Sequence, residues 1–183
     1  MVSKRRVQIV ILVEDKQQRA FVTRFLQRLG YERHKLRPLA LPAGQGSGEQ
    51  YVREHYAEQV RELRRRSGQL QLALVVVLDA DKEEVTERQR QLAHQLQSVN
   101  MEPRRADEGI VHLIPRRNIE TWIAYLRGEQ VNEEDNYPRL TGRERDCQPA
   151  VDRLMELYRS NQQLPADCPP SLVTALEELH RLA

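Results

Sequence analysis

Apolar residues gather in four short, nearly unbroken runs: 7–13 (VQIVILV), 36–41 (LRPLAL), 72–78 (LALVVVL) and 110–114 (IVHLI). Runs of this length, rich in valine and isoleucine, fit strands covered on both faces, as in a parallel sheet. Each is followed by a stretch where apolar residues recur every three or four positions. Phe21, Val22, Phe25, Leu26 and Leu29 predict a helix over 17–29, closed by Gly30. Val52, Tyr56, Val60 and Leu63 predict a second helix, which Ser47 caps. A third, over 82–100, carries only the thin stripe Val85, Leu92, Leu96 and Val99 and reads as a solvated outer helix. Asn118 caps a fourth, with Ile119, Trp122, Ile123 and Leu126 as its buried stripe. Alternation of strand and helix with right-handed crossovers gives an α/β, Rossmann-like fold with a mostly parallel four-stranded sheet. Pro38 cannot donate to a ladder, so the second run belongs at an edge and the strand order runs outward before returning.

From 128 to 149 the chain turns polar without a clear period, as a linker or flap does. Val151, Leu154, Met155 and Tyr158 then predict a helix over 150–159, and prolines 165, 169 and 170 separate it from a last one over 172–182. The expected organisation is a catalytic unit over 1–127, a polar connection over 128–149 and a C-terminal helical extension over 150–183.

Composition adds bounds. A chain of 183 residues, 39% apolar and 31% charged, is long enough for a sizeable core under a wet, charged surface. Neither a membrane span nor a secretory leader is expected, which makes the cytoplasm its natural location. Cys147 and Cys168 lack the spacing of a zinc site or a disulfide framework. Net charge is only +2, but lysine occurs just four times among 29 basic residues. Arginine's fork suits bidentate phosphate contacts, although drift in a GC-rich genome gives the same bias.

The first and third runs both end in acid, at Glu14 and Asp15 and at Asp79 and Asp81. With period two, residues 79 and 81 project to one side just beyond the strand's carboxyl end, where open α/β sheets bind their ligands. Two carboxylates that close call for a cation; alternatively, Asp79 caps the next helix and Asp81 favours its first turn. If neighbouring strands deliver them, Glu14, Asp79 and Asp81 face one crevice. Glu120 joins them from beside the fourth strand, unless it only complements its helix dipole. Such a set suits Mg2+ or Mn2+. Arg116, Arg117, Lys16 and Lys82 share the rim and suit phosphates, the complement that phosphodiester chemistry needs. His112, alternating with apolar neighbours, reads as a core or surface histidine, and Arg64, Arg65 and Arg66 as complements to a helix C-terminus. The glycine-rich loop over 42–48 lacks the pattern of a P-loop.

At ILVEDK, VVLDADK and IPRRNIETW the chain resembles the Toprim domain of topoisomerases, bacterial primases and OLD-family nucleases, over roughly residues 5–127. The resemblance implies metal held by Asp79 and Asp81, with Glu14 as ligand or general base and a metal-binding part for Glu120. It implies a divalent-metal-dependent nuclease acting on DNA or RNA, in the manner of small stand-alone Toprim proteins of phage-defence operons. A partner ATPase chain would supply any ATP-dependent control, and a homo-oligomer is a further expectation. No glycine follows Glu14, and no zinc module accompanies the domain, which favours nuclease over topoisomerase or primase. The stretch VQIVILVEDKQQRAFVTRFLQRLGY is also similar to the start of a response-regulator receiver, with Asp79 as the phosphorylated residue. Against it stand the long interval from Glu14 to Asp79 and a fourth strand that ends in Pro-Arg-Arg. A Toprim-like scaffold without catalysis is the third reading.

Overall fold

A computed structural model describes residues 7–44, 46–160 and 162–183; the basic tail read over 1–6, Gln45 of the glycine-rich loop and Asn161 lie outside the described residues. Four parallel strands form the sheet: β1 (Gln8–Leu12), β2 (Leu36–Pro38), β3 (Leu72–Val77) and β4 (Ile110–Leu113), in the order β2-β1-β3-β4. The fold is α/β and Rossmann-like, with helices on both faces. β2 is an edge strand, as Pro38 requires, and pairs only with β1. The reversal of direction falls between β1 and β3, whose register sets Leu12 opposite Val76.

Side-chain alternation splits the interior in two. Ile9, Ile11, Ala73, Val75, Val77, Val111 and Leu113 point to one face, and Leu12, Leu74, Val76, Leu78 and Ile110 to the other. The first face is covered by α1 (Lys16–Arg28), α4 (Ile119–Leu126), α5 (Gln148–Arg159) and α6 (Pro170–Leu179). The second is covered by α2 (Gly48–Arg66) and α3 (Val85–Ser98). The C-terminal helices share the core of α1 and α4: α5 lies against both, and α6 lies along β4.

Three of the expected helix ends are found where the sequence places them. Gly30 takes the left-handed conformation (φ 101°) after α1, and the Tyr31 N–H closes onto Leu26 O at 3.1 Å. Ser47 Oγ accepts from the Gln50 N–H (3.1 Å) to cap α2, and Asn118 caps α4 through the Thr121 N–H (3.3 Å). The third helix starts later than 82, at Val85, and Asp79 does not cap it; its N-cap is Glu84, with no side-chain bond. The polar stretch after α4 is tied down by side chains: Glu133 accepts from the Ser171 N–H (3.1 Å), while Ser171 Oγ accepts from Trp122 Nε1 (2.8 Å).

The outer edge of β4 is closed without a fifth strand. The His112 N–H donates to Glu178 Oε2 of α6 (2.9 Å), and Arg104 Nη1 donates to Ile110 O (2.9 Å). Arg104 and Glu178 also pair with each other, at 2.5 and 3.0 Å. His112 is a core histidine: its Nε2 meets the Tyr56 hydroxyl at 2.9 Å, and burial holds its pKa well below the usual histidine value. Among the described residues no helix is long and apolar enough to cross a membrane.

Candidate functional site

β1 and β3 deliver Glu14 and Asp79 to the same place, the carboxyl end of the sheet at the point where the strand order reverses. Glu14 follows β1 by two residues, and Asp15 caps α1 by accepting from the Gln18 N–H (2.8 Å). That cap fixes the first turn of α1 and places Gln18, which is 0% exposed, against both acids. Its Nε2 donates to Glu14 Oε2 at 2.7 Å and to Asp79 Oδ1 at 3.0 Å, and its Oε1 accepts from the Glu14 N–H at 2.9 Å. The Asp79 N–H also donates to Glu14 Oε2, at 2.8 Å. Glu14 Oε1 and Asp79 Oδ2 accept no hydrogen bond among the described residues.

Like charges in a half-buried place raise each other's pKa. Glu14 is pushed up to about 7, first by burial, against the pull of the Asp79 and Gln18 hydrogen bonds and with further repulsion from Asp15 and Glu49. Asp79 is held well above the carboxylate range by burial and then by the charges of Glu14, Glu120 and Asp15. Glu120, in the first turn of α4 and only 5% exposed, is raised by burial and by Asp15. Its nearest cation is Arg139, at 3.9 Å. Glu14, Asp79 and Glu120 therefore form one electrostatic cluster.

Asp81 stands apart from it. β3 ends at Val77, so the alternation of a strand does not carry as far as residue 81. Beyond the strand the backbone is stitched to the chain after β4: Ala80 N–H to Pro115 O (2.8 Å) and Asp81 N–H to Arg117 O (3.1 Å). Asp81 takes a left-handed conformation (φ 60°) and its side chain is exposed. The expected phosphate residues divide as well. Lys16 and Lys82 are exposed. Arg116 is engaged by Glu84 (2.8 Å) and Glu134 (3.9 Å), and Arg117 by Asn136 Oδ1 (3.1 Å).

Two supports come from the opposite face of the sheet. The N-terminus of α2 sits on Glu14 so closely that a Cβ at Gly48 would lie 2.7 Å from Glu14 Cβ and 3.0 Å from Glu14 O. Gly48→Ala is expected to cost about 1–3 kcal/mol by overpacking, read as a lowered midpoint in thermal unfolding. The buried Arg88 of α3 donates to Asp79 O (3.2 Å), Ala80 O (3.3 Å) and Glu49 Oε1 (2.5 Å), fastening the end of β3 to the first turn of α2. Sequence reasoning missed Gln18, Gly48, Glu49 and Arg88. Two of them carried a signal: Gln18 and Arg88 each stand where an apolar stripe expects a hydrophobic residue.

Among the described residues no three of His, Cys, Asp or Glu form a group that could hold an ion by themselves. The pair nevertheless suits a hard cation. Both groups offer oxygens, each keeps one oxygen without a protein donor, and neither is ion-paired with a cationic side chain among the described residues. Mg2+ commonly takes one or two carboxylates and completes its shell with waters and substrate phosphates. Comparison with protein-family models, with curated proteins and with solved structures finds no match.

Proposed function

We propose that the protein is a divalent-metal-dependent phosphodiesterase that cuts DNA or RNA, a Toprim-like nuclease with its centre at Glu14 and Asp79. The observation that supports this most is the meeting of these two acids, charged against each other, at the strand-order reversal of a parallel sheet, where such sheets bind ligands. Glu14 and Asp79 would hold the Mg2+ or Mn2+, with Glu120 adding negative potential. Such an ion, when bound, supplies Lewis-acid polarisation of the phosphate and an acidified water. Gln18 keeps both carboxylates aimed at one point and limits the reorganisation needed to receive charge. Lys16 and Lys82, exposed on the same rim, would offset phosphate charge. A partner ATPase, a role in phage defence and a homo-oligomer belong to the same reading.

The purified protein is incubated with plasmid, single-stranded DNA, tRNA and total RNA in Mg2+ or Mn2+, beside Glu14→Ala and Asp79→Ala. Metal-dependent cutting is expected, reduced by about 100-fold or more in both variants. Equal cutting by the variants would remove the site from the chemistry. The strand order β2-β1-β3 is also that of receiver domains, with Asp79 after the third strand. Magnesium-dependent phosphorylation of Asp79 by a small phosphodonor, with no cutting, would establish that function instead.

A further inference from the structure

Beside the acids, α1, the edge strand β2 and the 3-10 turn Glu144–Cys147 enclose an open groove of about 640 Å³. Lys16, Arg19, Arg24, Arg33 and Arg145 line it, against the single acid Glu144. Glu144 Oε1 accepts from the Gly142 N–H at 3.1 Å, and its one charge, on which Lys16 acts, is set against five cations. Arg24 donates to Gln148 Oε1 (2.7 Å), and Lys16, Arg19, Arg33 and Arg145 have no carboxylate at ion-pairing distance among the described residues. Other arginines of this protein, such as Arg64 and Arg104, are neutralised at close range, by Glu108 (2.6 Å) and Glu178 (2.5 Å); what sets the groove apart is that its cations are gathered on one concave surface. Unneutralised cations gathered in a concave surface repel each other unless an anion lies among them.

The groove leads to the candidate centre. Lys16 and Glu144 also line a smaller pocket of about 190 Å³ with Asp15, Gln17 and Glu120. Asp15 and Glu120 are two of the charges that act on Asp79. A polyanion lying along the cations would therefore arrive beside the acids.

We propose that this groove binds the sugar-phosphate backbone of a nucleic acid and leads it to the Glu14–Asp79 centre, a role that rests on the nuclease reading. The anion is a run of phosphates because several arginine forks are set along a groove rather than converging on one point. No aromatic side chain lines it, so base stacking contributes nothing and binding is independent of sequence and strongly dependent on salt. Phosphate binding thus moves from Arg116 and Arg117, which are engaged, to the α1 side of the site.

The test is binding rather than cleavage. Fluorescently labelled single-stranded and duplex oligonucleotides are titrated in EDTA, at several salt concentrations, with the full chain and with the triple variant Arg19→Ala, Arg33→Ala, Arg145→Ala. Arg61→Ala, Arg127→Ala, Arg159→Ala, three exposed positions outside the groove, form a control of equal charge change. The groove variant is expected to bind about tenfold or more weaker, with its salt slope reduced by about 2–3 for the lost phosphate contacts. The control is expected to bind like the parent. Undiminished binding by the groove variant, or an equal loss in the control, would overturn the proposal. So would a polyglutamate peptide that competes as well as an oligonucleotide of equal charge, since the groove would then fit an acidic protein. Because no metal is present, loss of the nuclease reading leaves this result standing, and the reverse also holds.

Discussion

Arg88→Ala should destabilise the protein by about 3–5 kcal/mol, the range for removing one partner of a buried ion pair. The guanidinium is 9% exposed and Glu49 14%, so water cannot replace what is lost. Four acceptors lose a donor together: the Glu49 carboxylate, Gln91 Oε1 and the carbonyls of Asp79 and Ala80. Arg53 still neutralises part of the Glu49 charge, which favours the lower end of the range. Arg88→Lys keeps the charge but loses the fork and should recover only part of the loss. Chemical denaturation of the three proteins checks this, and a change under about 1 kcal/mol for the alanine variant would mean that the contacts are not cooperative. On the nuclease reading the Lys variant should also cut more slowly than the parent, because the end of β3 that carries Asp79 is held less firmly.

The contribution of Glu14 and Asp79 to stability should fall as pH rises from 5 to 8. Glu14 has a folded-state pKa of about 7 against 4.5 unfolded, so between these values the folded protein keeps a proton that the unfolded chain has released. Its stabilising contribution is complete below about 4.5 and lost by pH 8, on the order of 3 kcal/mol. Asp79, raised by burial and by Glu14, acts with the same sign, and the two titrate as a pair. His112 acts oppositely below about 6.5, since it is kept neutral while the unfolded chain protonates. The comparison is therefore parent against Glu14→Gln, in which His112 cancels. The parent should lose stability relative to the variant across this window; coincident profiles would show that Glu14 is not perturbed. On the proposed metal site a bound cation would replace the proton, so Mg2+ at about 100 times its Kd should restore about 2.7 kcal/mol at pH 8 and far less at pH 5, in the parent only.

The sequence discloses the scaffold because its signals are local and agree with one another. β1, β3 and β4 are apolar runs with sides alternating between two interiors, Pro38 marks the edge, and Ser47, Gly30 and Asn118 mark helix ends. Glu14 and Asp79 were legible because they close the two central strands. Asp81 was not, because it depends on the chain turning left-handed after Val77, a choice enforced from outside by the Pro115 and Arg117 carbonyls. Among the bonds that finish the site, Gln18 to Asp79 and Arg88 to Glu49 span 61 and 39 residues, and no short window along the chain contains both ends of either. Their trace was an interruption: a polar residue where a stripe of period 3.6 calls for an apolar one.

The Arg104–Glu178 pair does for β4 what a neighbouring strand would otherwise do. A strand edge is an open template, and another copy of the chain, or a misfolded one, can lay its own backbone along it. Here the outward N–H of His112 and the outward carbonyl of Ile110 are both occupied, by side chains that also neutralise each other. At the other margin, Pro38 leaves β2 without one of the donors that an incoming strand would need. Both margins of the four-stranded sheet are thereby less open to an incoming strand, β4 through its occupied groups and β2 through the missing donor. At the β4 margin an approaching chain meets side chains rather than an open backbone ladder.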